Sequence, residues 1–165
     1  MERITKSASE TKRLGEDFAK RIIKKEYKKR RKKAFVICLK GDLGGGKTTF
    51  VQGFAKGLGI KGKVLSPTFV IMKKFSIPCI REKESFYRYL YHIDCYRIGS
   101  SKEVNSLGLK EIVSDPQNIV IIEWVDRIKE EWLSCALSIQ FYFIDEKTRR
   151  VIIKENGKTK NLSCY

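Results

Sequence analysis

Eight residues constrain this chain more than any others: Gly41-Asp42-Leu43-Gly44-Gly45-Gly46-Lys47-Thr48. The pattern is glycine, four residues, glycine, lysine, threonine. An apolar, β-rich run, Ala34-Phe35-Val36-Ile37-Cys38-Leu39, leads into it. After it, Phe50, Val51, Phe54 and Leu58 recur at helical spacing and Gly59 supplies a stop. A strand, a glycine-rich turn and a helix start in that order point successive backbone N–H groups at one anion. The helix start adds roughly half a positive charge. The expectation is a nucleoside triphosphate site for ATP with Mg²⁺. Gly41, Asp42, Leu43, Gly44, Gly45, Gly46 and Thr49 would line the phosphates. Lys47 would bridge the β- and γ-phosphates, and the Thr48 hydroxyl would hold the metal. The plain alternative is a glycine-rich turn that happens to carry a lysine-threonine pair.

Such a site needs acidic groups near the metal. An apolar strand ending in a carboxylate would place one over the ligand crevice of a parallel sheet. Ile119-Val120-Ile121-Ile122 followed by Glu123 fits, and Asp94 closes another apolar run. Either could be an ordinary strand-end charge. As site residues, Glu123 and Asp94 would join Thr48 at the metal, and one of them would orient the attacking water. No arginine finger stands out. Arg97 follows Asp94 by three positions and is a candidate, with a surface salt bridge as its ordinary role.

The remaining pattern places a helix over 9–26 with Ser9 as its cap, the strand at 34–39, and a helix over 48–58. Strands follow at 69–72 and 89–93, with 76–88 a loop or extended hairpin tip. A helix over 101–113, the strand at 119–122 and a short helix or turn over 124–133 come next. A closing hairpin pairs 136–144 with 151–153, turned near 145–147. At 165 residues, with no visible linker or repeat, the chain reads as one α/β domain spanning 1–165. The expected fold is a P-loop NTPase, with a mainly parallel central sheet flanked by helices and a C-terminal antiparallel hairpin.

The apolar runs are too short to cross a membrane and the N-terminus lacks a signal-like stretch, so a cytoplasmic location is expected. Five cysteines, Cys38, Cys79, Cys95, Cys135 and Cys164, show no metal-knuckle spacing and read as buried reduced thiols. Net charge is +16, and ten of the lysines and arginines are crowded into the tract at 20–33. That excess suits an acidic partner such as RNA, an acidic protein face or nucleotide phosphates. Solvated lysine and arginine on a helix and its exit turn is the plain reading.

Five ordered stretches carry a more specific resemblance. They are Gly41-Asp42-Leu43-Gly44-Gly45-Gly46-Lys47-Thr48-Thr49-Phe50, Ser66-Pro67-Thr68-Phe69, His92-Ile93-Asp94-Cys95-Tyr96-Arg97, Leu107-Gly108-Leu109-Lys110-Glu111 and Ile122-Glu123-Trp124. A generic P-loop protein would share the first alone. Over about residues 5–153 the chain resembles the TsaE (YjeE) family of bacterial tRNA threonylcarbamoyladenosine biosynthesis ATPases. The resemblance implies weak ATPase activity in partnership with the family's two sugar-kinase-like proteins. One of those transfers a threonylcarbamoyl group to adenosine 37 of tRNA, and tRNA would meet this chain directly or through the complex.

By the same resemblance, Glu123 is the second metal ligand and Asp94 lies near the metal and γ-phosphate. Thr68 sits on a switch-like loop, and Trp124 fixes Glu123 or meets a partner. The segment from Thr5 to Thr11 lies near the adenine. Three features depart from the family: Gly45 where alanine is frequent, a longer segment between Phe75 and Tyr89, and the basic tract.

Rival readings are a small nucleotide or metabolite kinase and a basic RNA-binding module. The kinase would need an arginine-rich lid, and 76–88 offers Arg81 and Arg88 alone. A GTPase is disfavoured by the missing Asn-Lys-x-Asp sequence.

Overall fold

The computed structural model describes residues 1–26, 32–78, 86–128 and 133–155. The elements run β1 (Glu2–Thr5), α1 (Ala8–Glu26), β2 (Phe35–Gly41), α2 (Lys47–Gly57), β3 (Met72–Ser76) and β4 (Tyr89–Asp94). They continue with α3 (Ser101–Ser106), α4 (Leu109–Ser114), β5 (Asn118–Glu123), a short 3₁₀ turn (Val125–Arg127), β6 (Leu137–Phe143) and β7 (Arg149–Glu155).

The seven strands of the described residues form one sheet in the order β1-β7-β6-β2-β5-β4-β3. Its centre, β6-β2-β5-β4, is parallel. β7 and β3 run against it, and β1, antiparallel to β7, shares the direction of the centre. The expected mainly parallel sheet and the β6–β7 hairpin are both present.

Strands β2 and β5 are apolar on both faces because both faces are covered. Phe35, Ile37 and Leu39 of β2, with Ile119 and Ile121 of β5, join Phe50, Val51 and Phe54 of α2 and Phe18 and Ile22 of α1 in one core. Val36, Cys38, Val120 and Ile122 face the other way, against Val104, Leu109 and Val113 of α3 and α4. Alternation along each strand thus feeds two cores. Glycines let α1 and α2 touch backbone to backbone: a Cβ on Gly53 would lie 1.8 Å from the Lys12 carbonyl, and one on Gly15 2.2 Å from that of Phe50.

Several boundaries differ from the sequence reading. Helix α1 starts at Ala8, and the capping hydroxyl is that of Ser7, which accepts from the Glu10 N–H at 3.1 Å, so Ser9 is not the cap. The expected strand at 69–72 is a turn. Pro67 O accepts from the N–H groups of both Val70 and Ile71, Ile71 has φ 65°, and β3 begins only at Met72. The helix expected over 101–113 breaks in two, because Gly108 adopts φ 63°. Strand β1 was not anticipated; it is short and its burial comes only at Thr5. The core of the basic tract, most of 76–88, and 129–132 lie outside the described residues.

The cysteine expectation also needs correction. Cys38 is joined to Cys135 by a disulfide, with Cα atoms 5.8 Å apart, a span that suits the bond. Parallel pairing of β2 with β6 brings them together: Cys38 stands opposite Ser138, and Ala136 N–H donates to Val36 O. Among the described residues Cys95 is free and buried, and burial pushes its thiol up to about 12. Cys79 and Cys164 lie outside the described residues.

Candidate functional site

The loop leaves β2 in the middle of the parallel sheet, where neighbouring strands end in carboxylates. Gly41 passes so close to β6 that a Cβ would lie 2.1 Å from Phe141 O. Gly46, the residue before α2, has φ 97°, a conformation that suits glycine. Among the described residues, no side chain caps this helix start, so the first-turn N–H groups are available to a ligand. Glycine at 45 fits the loop as it stands, whereas a Cβ there would approach Asp42 O to 2.9 Å.

Lys47 is buried inside its own loop. Its ammonium donates to Gly41 O at 2.8 Å and Asp42 O at 2.7 Å, and sits 3.9 Å from the centre of the Trp124 ring. Burial holds the amine below the ordinary lysine range, opposed by the charges of Glu123, Asp94, Asp42 and Asp126. Trp124 takes φ 58°, uncommon for a bulky residue. That turn lays its indole over Lys47, and the Tyr96 ring packs against the indole at a tilt, with centroids 5.1 Å apart. Asp42 contributes its backbone to this arrangement; its side chain is exposed, as is Leu43.

Thr48 donates its hydroxyl to Glu123, whose two carboxylate oxygens lie 3.0 and 3.1 Å away. Glu123 ends β5 and is 2% exposed. Asp94 ends β4 directly opposite it in the parallel register. Asp94 is held from three sides: by Ser66 Oγ at 2.8 Å, Thr68 Oγ1 at 2.5 Å and the Tyr96 N–H at 3.0 Å. The Ser66-Pro67-Thr68 segment is therefore tied to the carboxylate beside Glu123.

An open cleft lies over the loop. Residues 43–49, Thr11 and Glu123 line it, together with Ala8, Glu146, Lys147 and Arg149. Thr5 stands behind Thr11, with their hydroxyls 2.8 Å apart. The sequence-derived set is therefore brought together. Thr11, Leu43, Gly44, Gly45, Gly46, Lys47, Thr48, Thr49 and Glu123 sit on the cleft wall. Gly41, Asp42, Thr5 and Trp124 support it, and Asp94 and Thr68 adjoin Glu123. Arg97 is not among the cleft residues; its guanidinium lies over the Phe69 ring at 4.5 Å.

Two residues escaped the sequence reading. Arg149, on β7, donates from Nε to Gly44 O at 3.0 Å and from its other nitrogens to carbonyls of the 145–148 turn. Only folding brings it to the loop. His92 was read as part of a motif without a role. It is fully buried, with Nε2 2.7 Å from Glu123 Oε1. Its spacing of two from Asp94 on one strand, hence on one face, was the available signal.

Among the described residues, no three His, Cys, Asp or Glu side chains form a metal cage. A hydroxyl and one or two carboxylates suit Mg²⁺ instead, which keeps waters and takes phosphate oxygens as further ligands. The uncapped helix start, the lysine folded onto carbonyls and the Thr48–Glu123 pair fit a magnesium nucleotide.

The family model for "Threonylcarbamoyl adenosine biosynthesis protein TsaE" matches residues 5–152. The tRNA threonylcarbamoyladenosine biosynthesis protein TsaE of Bacillus subtilis is 36% identical over 129 residues, covering 78% of this chain and 75% of that protein. The protein of the same name from Aquifex aeolicus is 32% identical over 152 residues, covering 91% and 92%. The crystal structure of YdiB from Bacillus subtilis superposes with a TM-score of 0.69 at 30% identity, covering 95% of this chain and 86% of that one. Site, sheet and sequence thus lead to one assignment: the chain belongs to the TsaE family of threonylcarbamoyl adenosine biosynthesis proteins.

Proposed function

We propose that this protein is a Mg²⁺-dependent ATPase that supports the complex making N6-threonylcarbamoyladenosine at position 37 of tRNA. The transfer itself takes place on a partner chain, one of two sugar-kinase-like proteins, in the cytoplasm. tRNA meets this chain within that complex. The observation that carries the reading is the bond from Thr48 to Glu123 at the mouth of a glycine loop that also holds Lys47.

Each residue has a defined task. The loop amides and the start of α2 receive phosphate oxygens. Lys47 exchanges its bonds to Gly41 O and Asp42 O for phosphate oxygens, which relieves a buried ammonium of its imperfect surroundings. Trp124 keeps water from the amine on one side. Thr48 and Glu123 would hold the metal, which when bound neutralises charge on the transferring phosphoryl group. Asp94, held by Ser66 and Thr68, orients the attacking water. No arginine other than Arg149 lines the cleft among the described residues, and its donors are occupied by carbonyls. Turnover by the isolated chain is therefore slow, and partners raise it.

Glu123→Ala separates binding from hydrolysis. Steady-state phosphate release should fall by about 100-fold, while ATP affinity measured in EDTA stays within about threefold of wild type. Hydrolysis at the wild-type rate would refute the metal assignment.

A further inference from the structure

We propose that His92 is a positioning residue that holds Glu123 on Thr48 and away from Lys47. The proposal rests on the Mg²⁺-ATPase reading and deepens it. Strands β4 and β5 run parallel with His92 opposite Ile121 and Asp94 opposite Glu123. His92 Nε2 thus reaches two register positions further along, to Glu123 Oε1 at 2.7 Å. Neither side chain meets solvent to any extent: they are 0% and 3% exposed.

The hydrogen-bond pattern assigns the proton. An ionised carboxylate only accepts, so Nε2 donates. Among the described residues, His92 Nδ1 is buried and has no hydrogen-bond partner. A proton there would be a buried donor with nowhere to go. Nε2 is therefore the ring's donor, aimed at Glu123.

That donor resolves a competition. Glu123 bonds the Thr48 hydroxyl, and its charge acts on the Lys47 ammonium. Were the carboxylate free to turn, the ammonium would attract it into an ion pair. That ion pair would remove the phosphate cation and the metal carboxylate together. His92 fixes Oε1, so the carboxylate stays beside Thr48 and Lys47 stays free for phosphate. Groups behind a metal ligand commonly change metal affinity by about 10- to 100-fold when lost.

The chain contains one histidine, so its imidazole gives one pair of ¹⁵N signals. In the wild-type protein these should show Nε2 protonated and Nδ1 bare. Adding MgCl₂ with a non-hydrolysable ATP analogue should shift the Nε2–H signal, and the analogue alone in EDTA should shift it little. An Nδ1–H form, or a signal indifferent to Mg²⁺, would overturn the proposal.

Variants give a second arm, read as the half-saturating Mg²⁺ for analogue binding by calorimetry. In His92→Gln the amide nitrogen stands near the Nε2 position; in His92→Asn it stands near Nδ1 and cannot reach Glu123. His92→Asn and His92→Leu should raise half-saturating Mg²⁺ about tenfold, with Mg²⁺-free affinity unchanged, and His92→Gln should restore it. Equal Mg²⁺ demand in all three variants and wild type would overturn the positioning role. So would parallel loss of Mg²⁺-free affinity. Wild-type binding that ignores Mg²⁺ would instead overturn the ATPase reading itself.

Discussion

At the scale of single residues, the site is a set of donors whose partners change when a phosphate arrives. Lys47 shows this most clearly, since both of its carbonyl bonds lie within its own loop. Arg149 shows the opposite design. Its nitrogens bond Gly44 O, Asp145 O and Thr148 O, so it straps the tip of the loop to the β6–β7 turn. Arg149→Ala should lower Mg²⁺–ATP affinity by about five- to tenfold, a loss of roughly 1–1.4 kcal/mol, measured by calorimetry. Arg149→Lys should not restore it, because an ammonium cannot span several carbonyls at once. Unchanged affinity in Arg149→Ala would show that the strap is dispensable. Lys47, Thr48 and Glu123 could be read from the sequence, because motif spacing and strand ends encode them. Arg149 could not: it meets Gly44 across 105 positions, through strand β7, whose pairing leaves no local signature. His92 lay between, visible as a polar residue in an apolar run but without a partner until β4 and β5 were paired.

At the scale of elements, regular structure was legible where periodicity was strong and lost where side chains or tight contacts override it. The runs before and after the loop became β2 and α2 within a residue or two. The apolar stretch at 69–72 did not become a strand, because Ser66 and Thr68 anchor on Asp94 and force Ile71 into φ 65°. For a β-branched residue that conformation is strained. The helix over 101–113 fails at Gly108 for the same kind of local reason. The α1–α2 seam could not be foreseen, since glycine in a helix pattern does not announce a contact. Gly53→Ala tests it: the new Cβ would meet Lys12 O. The two helices must separate, so thermal denaturation should show destabilisation of about 2–4 kcal/mol. An unchanged melting temperature would mean that the seam relaxes freely.

At the scale of the whole molecule, one sheet carries two cores and gathers the site at the ends of its central parallel strands. That arrangement is why residues from four separate stretches meet: the loop, the Ser66–Thr68 segment, the end of β4 and the end of β5. The +16 charge sets the electrostatic character of the chain without fixing the site. Its densest part, within 20–33, falls largely outside the described residues. The Cys38–Cys135 pair ties β2 to the segment entering β6, a link between residues 97 apart that no cysteine spacing revealed.

The central claim is that the loop at 41–48 binds ATP with Mg²⁺. Calorimetric titration of the full chain with ATP in MgCl₂ tests it directly, with GTP and Lys47→Ala as comparisons. The account predicts about one ATP per chain, weaker GTP binding, and affinity reduced at least about tenfold in Lys47→Ala. Absence of ATP binding, or wild-type affinity in Lys47→Ala, would contradict it.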